Sequence, residues 1–170
     1  MEKEGPKGVK MEVQEALQDI YAPRSVCYGC GPANEKGLHI KSRVVTAKDG
    51  TTDEVVCDWT PEAHHIAYEG SLNGGIIGTL LDCHCNWTAT WHLMKAGGLS
   101  TPPCTVTAEY AIKLLKPTPA KTVHLRARVV ESTDRKAIVE GLLEVDGVAC
   151  ASCRGVFVAV KEGHPAFHRW

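Results

Sequence analysis

Polar and apolar residues alternate through most of the second half of the chain. Val123, Leu125, Ala127 and Val129 alternate with His124, Arg126 and Arg128, the period of a strand with one buried face. In residues 105–116, Val106, Ala108, Tyr110, Ile112 and Leu114 alternate with Thr107, Glu109 and Lys113, which puts Thr107 on the polar side of its strand. Residues 135–146 repeat the pattern, Asp146-Gly147 reads as a two-residue hairpin turn, and 148–161 complete a meander. Earlier, 38–45 and 52–59 read as two strands joined by a turn at Lys48-Asp49-Gly50, and 61–72 as a loop. Val13, Leu17 and Ile20-Tyr21 at helical spacing predict a short helix over 12–21, ended by Pro23. Residues 73–94 form the one long helical stretch, closed by Gly97-Gly98. That stretch is too apolar to lie on a surface. The order therefore predicts an α+β unit, an antiparallel sheet wrapped around one long central helix.

The 170 residues (18.4 kDa) amount to one domain, read as a leader with a short helix over 1–25, a single domain over 26–161 and a tail over 162–170. Nineteen basic against twenty acidic residues leave a net charge of −1, which offers no footprint for nucleic acid or an anionic membrane. Residues 1–10 are charged and Gly-rich, without the apolar run of a signal peptide, and 70–94 contain Asp82, so no membrane span is expected. Eight cysteines without an export signal then read as reduced thiols in a cytoplasmic setting.

Candidate chemistry concentrates on the long helix. Asn73 is a good N-cap residue, and the amides that follow at Gly74 and Gly75 sit at the positive end of a helix dipole, where an oxyanion can be held. A plain cap with glycines for close packing is the alternative. Asp82 is the only Asp, Glu, Lys or Arg between Glu69 and Lys95, inside a helix expected to be buried. A carboxylate there is costly unless hydrogen-bonded, so it is either functional or tied structurally, with Asn86 one turn on as the obvious partner. Nine residues separate Asn73 from Asp82, about 13.5 Å along the axis and roughly 180° around it. If both act on one carbonyl, they come from two chains.

Cys27-Tyr28-Gly29-Cys30-Gly31-Pro32-Ala33-Asn34-Glu35-Lys36-Gly37-Leu38 resembles the C-x-G-C-G-x-x-N-x-x-G-L opening of hotdog-fold acyl-CoA thioesterases of the PaaI type. Asn73-Gly74-Gly75 with Asp82 nine positions on is similar to that family's H-G-G … L-x-D helix, and Val106-Thr107-Ala108-Glu109 through Lys116-Pro117 resembles the strand that follows it. The resemblance spans about residues 26–160. It implies a hotdog fold, assembled as a homodimer or a dimer of dimers, that hydrolyses an acyl-CoA substrate without cofactor or metal. Asp82 would be the catalytic carboxylate, as general base or nucleophile. Gly74 would give an amide to the thioester oxygen, and Thr107 would help orient the water. Asn73 stands where the family has His, keeping a polar cap without the imidazole. His65 matches a His of the family's loop, and His65, Tyr68, Gly75 and Asn86 are expected to line the substrate site. A non-catalytic acyl-binding or scaffold module, or a hydratase- or dehydratase-like enzyme, are the alternatives within this fold.

Cys27-x-x-Cys30 and Cys150-x-x-Cys153 invite a four-thiolate zinc site. Their separation and the strand character of the second pair argue instead for small buried thiols. Adjacent helix positions diverge by about 100°, so His84 is not expected to pair with Cys83 or Cys85, and Cys85 reads as a wall near Asp82. Trp59, Trp87 and Trp91 read as core or dimer packing. Lys113, Lys116, Arg126, Arg128 and Arg154 are candidates for the phosphates of CoA.

Overall fold

The structure, a computed structural model, describes residues 14–46 and 53–170. The leader over 1–10, Glu12 and Val13 of the expected first helix, and the Lys48-Asp49-Gly50 turn lie outside the described residues. The helix that remains, α1, is Leu17–Tyr21.

Among the described residues six strands form one antiparallel sheet: β1 (Arg43–Thr46), β2 (Asp53–Trp59), β5 (Thr105–Leu114), β6 (Val123–Ser132), β7 (Lys136–Val145) and β8 (Val148–Ala159). Their spatial order is β1-β2-β6-β7-β8-β5, so β1 and β5 are the two edges. In β6, β7 and β8 the alternation seen in the sequence is the burial pattern. Leu125 and Ala127 of β6, Val139 and Leu143 of β7, and Ala151, Cys153 and Phe157 of β8 all face inward. The β7–β8 hairpin turns on Asp146 (φ 50°) and Gly147 (φ 77°), two left-handed residues whose twist matches that of the strands they join.

The helix α2 (Gly74–Ala96) lies against the inner face of this sheet. It buries residues on almost every side, Leu80, Leu81, His84, Cys85, Trp87 and Ala89 among them, which explains its apolar composition.

Two expectations are corrected. Residues 38–42 are not strand. His39 adopts φ 52°, which breaks the extension, and the amides of Leu38 and Ile40 bond to the carbonyls of Tyr28 and Gly29 in the Cys-Gly loop. Residues 61–72 are more ordered than a loop: a 3₁₀ turn (Ala63–His65) leads into a two-stranded ladder, β3 (Ile66–Tyr68) with β4 (Ser71–Leu72). That ladder feeds directly into α2, where the Asn73 amide bonds to the carbonyl of His65.

Candidate active site

Every fourth residue of α2 from Gly74 to Thr90 is small or polar: Gly74, Gly78, Asp82, Asn86, Thr90. Residues four apart share a helix face, and this ridge lies along the edge strand β5. Helix numbering rises as strand numbering falls. A Cβ at Gly74 would lie 3.6 Å from Leu114, one at Gly78 3.6 Å from Ile112, and Asp82 meets Thr107. Asn86 and Thr90 meet Thr105, in a chain of hydrogen bonds from Thr90 through the Thr105 hydroxyl to Asn86 Oδ1. The glycine end of this seam is an open cleft lined by Gly74, Gly75, Gly78, Thr79, Tyr110, Ile112 and Leu114.

Strict alternation cannot put Thr105, Thr107, Ile112 and Leu114 on one face. The strand manages it with one extra residue. Thr107 pairs with Phe157 and Glu109 with Val156, so Ala108 is a β-bulge. Thr107 therefore turns inward toward α2, where the alternation had placed it on the outer, polar side. Its hydroxyl donates to Asp82 Oδ1 at 2.7 Å. Among the described residues no other hydrogen bond reaches that carboxylate. Partial burial pushes the Asp82 pKa up, opposed first by the Thr107 hydrogen bond. The expected partner, Asn86, is occupied elsewhere: it is buried, its carbonyl oxygen held by Thr105, so it braces the seam.

At the helix start, Asn73 Oδ1 accepts from the amides of Gly75 (2.8 Å) and Ile76 (3.2 Å). Gly75 thus spends its amide on the cap. Gly74 keeps its N–H without a partner among the described residues, pointing out of the first turn. The side chain of Asn73 is a cap and faces no reacting group within the chain.

His65 and Tyr68 do not line the cleft of their own chain. His65 is buried with its ring 5.1 Å from that of Trp59, and its Nδ1 accepts from the Glu62 amide. Burial lowers its pKa below the ordinary imidazole value. Tyr68 sits 61% exposed on the β3–β4 ladder.

A second polar group on α2 escaped the sequence reading. His84 is fully buried, with Nδ1 2.9 Å from Ser42 Oγ and Nε2 3.0 Å from the Val55 carbonyl. Gln18 completes the set: its Nε2 donates to Ser42 Oγ and its Oε1 accepts from the Ser42 amide. Burial pushes the His84 pKa down to about 4. Its partners lie on residues 18, 42 and 55, and helical spacing alone gives no signal for them.

The thiols also regroup. Cys27 and Cys30 meet Cys83, not Cys150 and Cys153. Cys85 lies instead beside Cys153 and against Gly141, where a Cβ would come within 2.6 Å of its sulfur. Three of the basic candidates carry acidic partners: Arg126 with Glu144, and Arg128 and Arg154 with Glu140. The tail over 162–170 folds back onto the core. Trp170 stacks on Trp87 with ring centres 4.7 Å apart, and Arg169 donates to the Thr105 carbonyl.

No family model matches the chain, and no curated protein matches it in sequence. Solved structures do. A thioesterase superfamily protein from Shewanella loihica aligns over 85% of this chain and 100% of its own, with 28% identity and a TM-score of 0.63. The chain carries the hotdog fold of the thioesterase superfamily. Two further hotdog structures share the fold at lower identity. A phenylacetic acid degradation-related protein from Ralstonia eutropha aligns over 71% of this chain and 85% of its own (21% identity, TM-score 0.57). A Bacillus halodurans protein solved with CoA aligns over 71% and 74% (22% identity, TM-score 0.55). Among the described residues of this hotdog chain, no helix is long and apolar enough to cross a membrane.

Proposed function

We propose that the chain is an acyl-CoA thioesterase, with Asp82 as the general base that activates water. The observation that carries this reading is the Asp82 carboxylate. It sits half-buried in the middle of the α2–β5 seam, one oxygen held by Thr107 and the other free of protein hydrogen bonds among the described residues. A carboxylate fixed at one oxygen presents the second to a water molecule.

The water loses its proton to Asp82 as its oxygen attacks the thioester carbon. The carbonyl oxygen becomes an oxyanion that the Gly74 amide stabilises at the helix start. When the intermediate collapses the C–S bond breaks, and the proton on Asp82 passes to the departing sulfur. The products are a carboxylic acid and the free thiol of CoA. A thiol ionises near ~8.5, so the leaving group needs no stronger acid.

Gly74 and Asp82 are eight residues apart on one helix, about 12 Å of rise, too far for one carbonyl. In this reading the two groups come from two chains of a homodimer, so each dimer holds two sites. The edge strand β5, with Tyr110 and Leu114 exposed and Leu115 exposed just beyond its end, supports such an association. The Bacillus halodurans neighbour supports CoA as the carrier. Lys113 and Lys116, exposed and without ion pairs among the described residues, are better placed for its phosphates than the paired arginines.

An acyl-CoA panel read by free-thiol release tests the reaction on wild type and Asp82→Asn. Equal rates in the two proteins would remove Asp82 from the mechanism, and no thiol from any acyl length would remove the activity. Mixing Asp82→Asn with Gly74→Pro tests the sharing. Proline at the first helical position lacks the N–H yet fits the helix, and Asn73 already has the extended backbone that a following proline requires. Mixed dimers contain one intact site, so activity returns on mixing; two inactive proteins that stay inactive after exchange would refute a shared site.

A further inference from the structure

The Cys-Gly loop and α2 converge on a group of sulfurs that the reaction above does not use. The Sγ atoms of Cys27, Cys30 and Cys83 all lie within 4.8 Å of one another, and Cys27 and Cys83 are 3.8 Å apart. A disulfide holds its sulfurs at about 2.05 Å. Two thiolates on a tetrahedral ion with metal–sulfur bonds of ~2.3 Å stand about 3.8 Å apart, which is the spacing here.

The surroundings are those of a ligand set. The backbone amides of Gly29 and Cys30 are directed at Cys27 Sγ, and the Trp87 indole donates to Cys30 Sγ at 3.3 Å. N–H donors turned on sulfur stabilise thiolates and orient them toward a metal. The loop is wound tightly enough to need its glycines. A Cβ at Gly29 would lie 2.4 Å from Cys83 Sγ, and one at Gly31 2.4 Å from the Cys27 nitrogen. Gly29 therefore lets the loop close over the helix thiol. Three sulfurs this close cannot all ionise without a compensating cation.

We propose that Cys27, Cys30 and Cys83 form a three-thiolate site for a borderline-soft divalent cation such as Zn²⁺, with the fourth position open to solvent beside half-buried Cys27. Cys150-x-x-Cys153, the second pair that the sequence offers to Cys27-x-x-Cys30, is not part of this group. The third ligand comes instead from the helix, from the residue that follows Asp82. Bound there, the ion ties the opening loop to α2, and the three ligands bind it as thiolates, so that binding releases protons.

The test is a cobalt(II) titration of the reduced, chelator-stripped full chain without oxygen. The expected result is a thiolate-to-cobalt charge-transfer band that saturates at one ion per chain and disappears when Zn²⁺ is added. Cys83→Ser and, on the half-buried loop, Cys27→Ser lose the band. Cys85→Ala, whose sulfur lies outside the cluster, keeps it. Thermal melts establish that the variants are folded. No charge-transfer band in the wild type overturns the site, as does a band that survives in folded Cys27→Ser and Cys83→Ser.

Discussion

Asp82 and His84 stand two residues apart on α2, polar side chains in a helix that is otherwise mostly apolar. Two residues turn a helix through about 200°, so they face opposite sides. His84 points at β2 and the chain before β1, where Ser42 and the Val55 carbonyl satisfy both ring nitrogens in complete burial. Asp82 points at the edge strand, keeps contact with solvent, and has the Thr107 hydroxyl on one oxygen. A buried polar group whose bonding capacity is filled inside the protein has nothing left to offer a substrate. One that is held at a single point, at an edge, does.

The comparison fails first if Asp82 is dispensable. Asp82→Asn keeps the size and the Thr107 contact but removes the base, so kcat/KM for acyl-CoA hydrolysis is expected to fall by about 10²–10⁴, with little change in the thermal midpoint. Gly74→Pro removes one oxyanion donor and is expected to lower kcat by about 10²–10³, while circular dichroism shows the helix intact.

His84 answers in the opposite currency. His84→Leu removes one hydrogen bond each from the Ser42 hydroxyl, which keeps only Gln18, and from the Val55 carbonyl in the core, a cost of about 2–4 kcal/mol. For a chain of this length that lowers the melting temperature by roughly 5–15 °C, while the protein that remains folded keeps its kcat. Thr107→Val sharpens the role of the single contact: a fall in kcat/KM of about 10-fold is expected, recovered largely in Thr107→Ser, with stability almost unmoved.

The smallest effect is on acid stability. His65 and His84 are both held below their ordinary pKa, so the unfolded chain takes up protons that the folded chain does not. Stability is therefore complete above the unfolded value of about 6.5 and falls as the pH drops below it. For His84 the loss stops near its folded value of about 4. Denaturant titrations of His65→Asn across this window should show a shallower dependence of stability on pH than wild type; an unchanged dependence would mean that burial does not lower the His65 pKa.

What could be read from the sequence was whatever repeats locally. The inward residues of β6, β7 and β8, the Asp146-Gly147 turn and the ends of α2 follow from period and cap chemistry within a few residues of chain. The lone charge at Asp82 also stood out without any structure. What stayed hidden depends on distant partners or on broken periods. His39 interrupts a strand that the alternation of Leu38 and Ile40 suggested, Cys83 joins a loop more than fifty residues away, and the cluster around His84 draws on three separate segments. Asn86 misled because a nearby partner looked sufficient, whereas Thr105 across the seam took its oxygen.

Ala108 carries a consequence for the history of this strand. One added residue changes the parity of the positions beyond it, and the bulge absorbs that residue, so a single codon can be inserted or lost here while the same side chains keep facing the helix. Related chains should be aligned with a gap allowed at this position. Without it, the residue placed opposite the helix carboxylate would be the outward neighbour of the one that touches it, and a hydroxyl shared across relatives would look like a substitution.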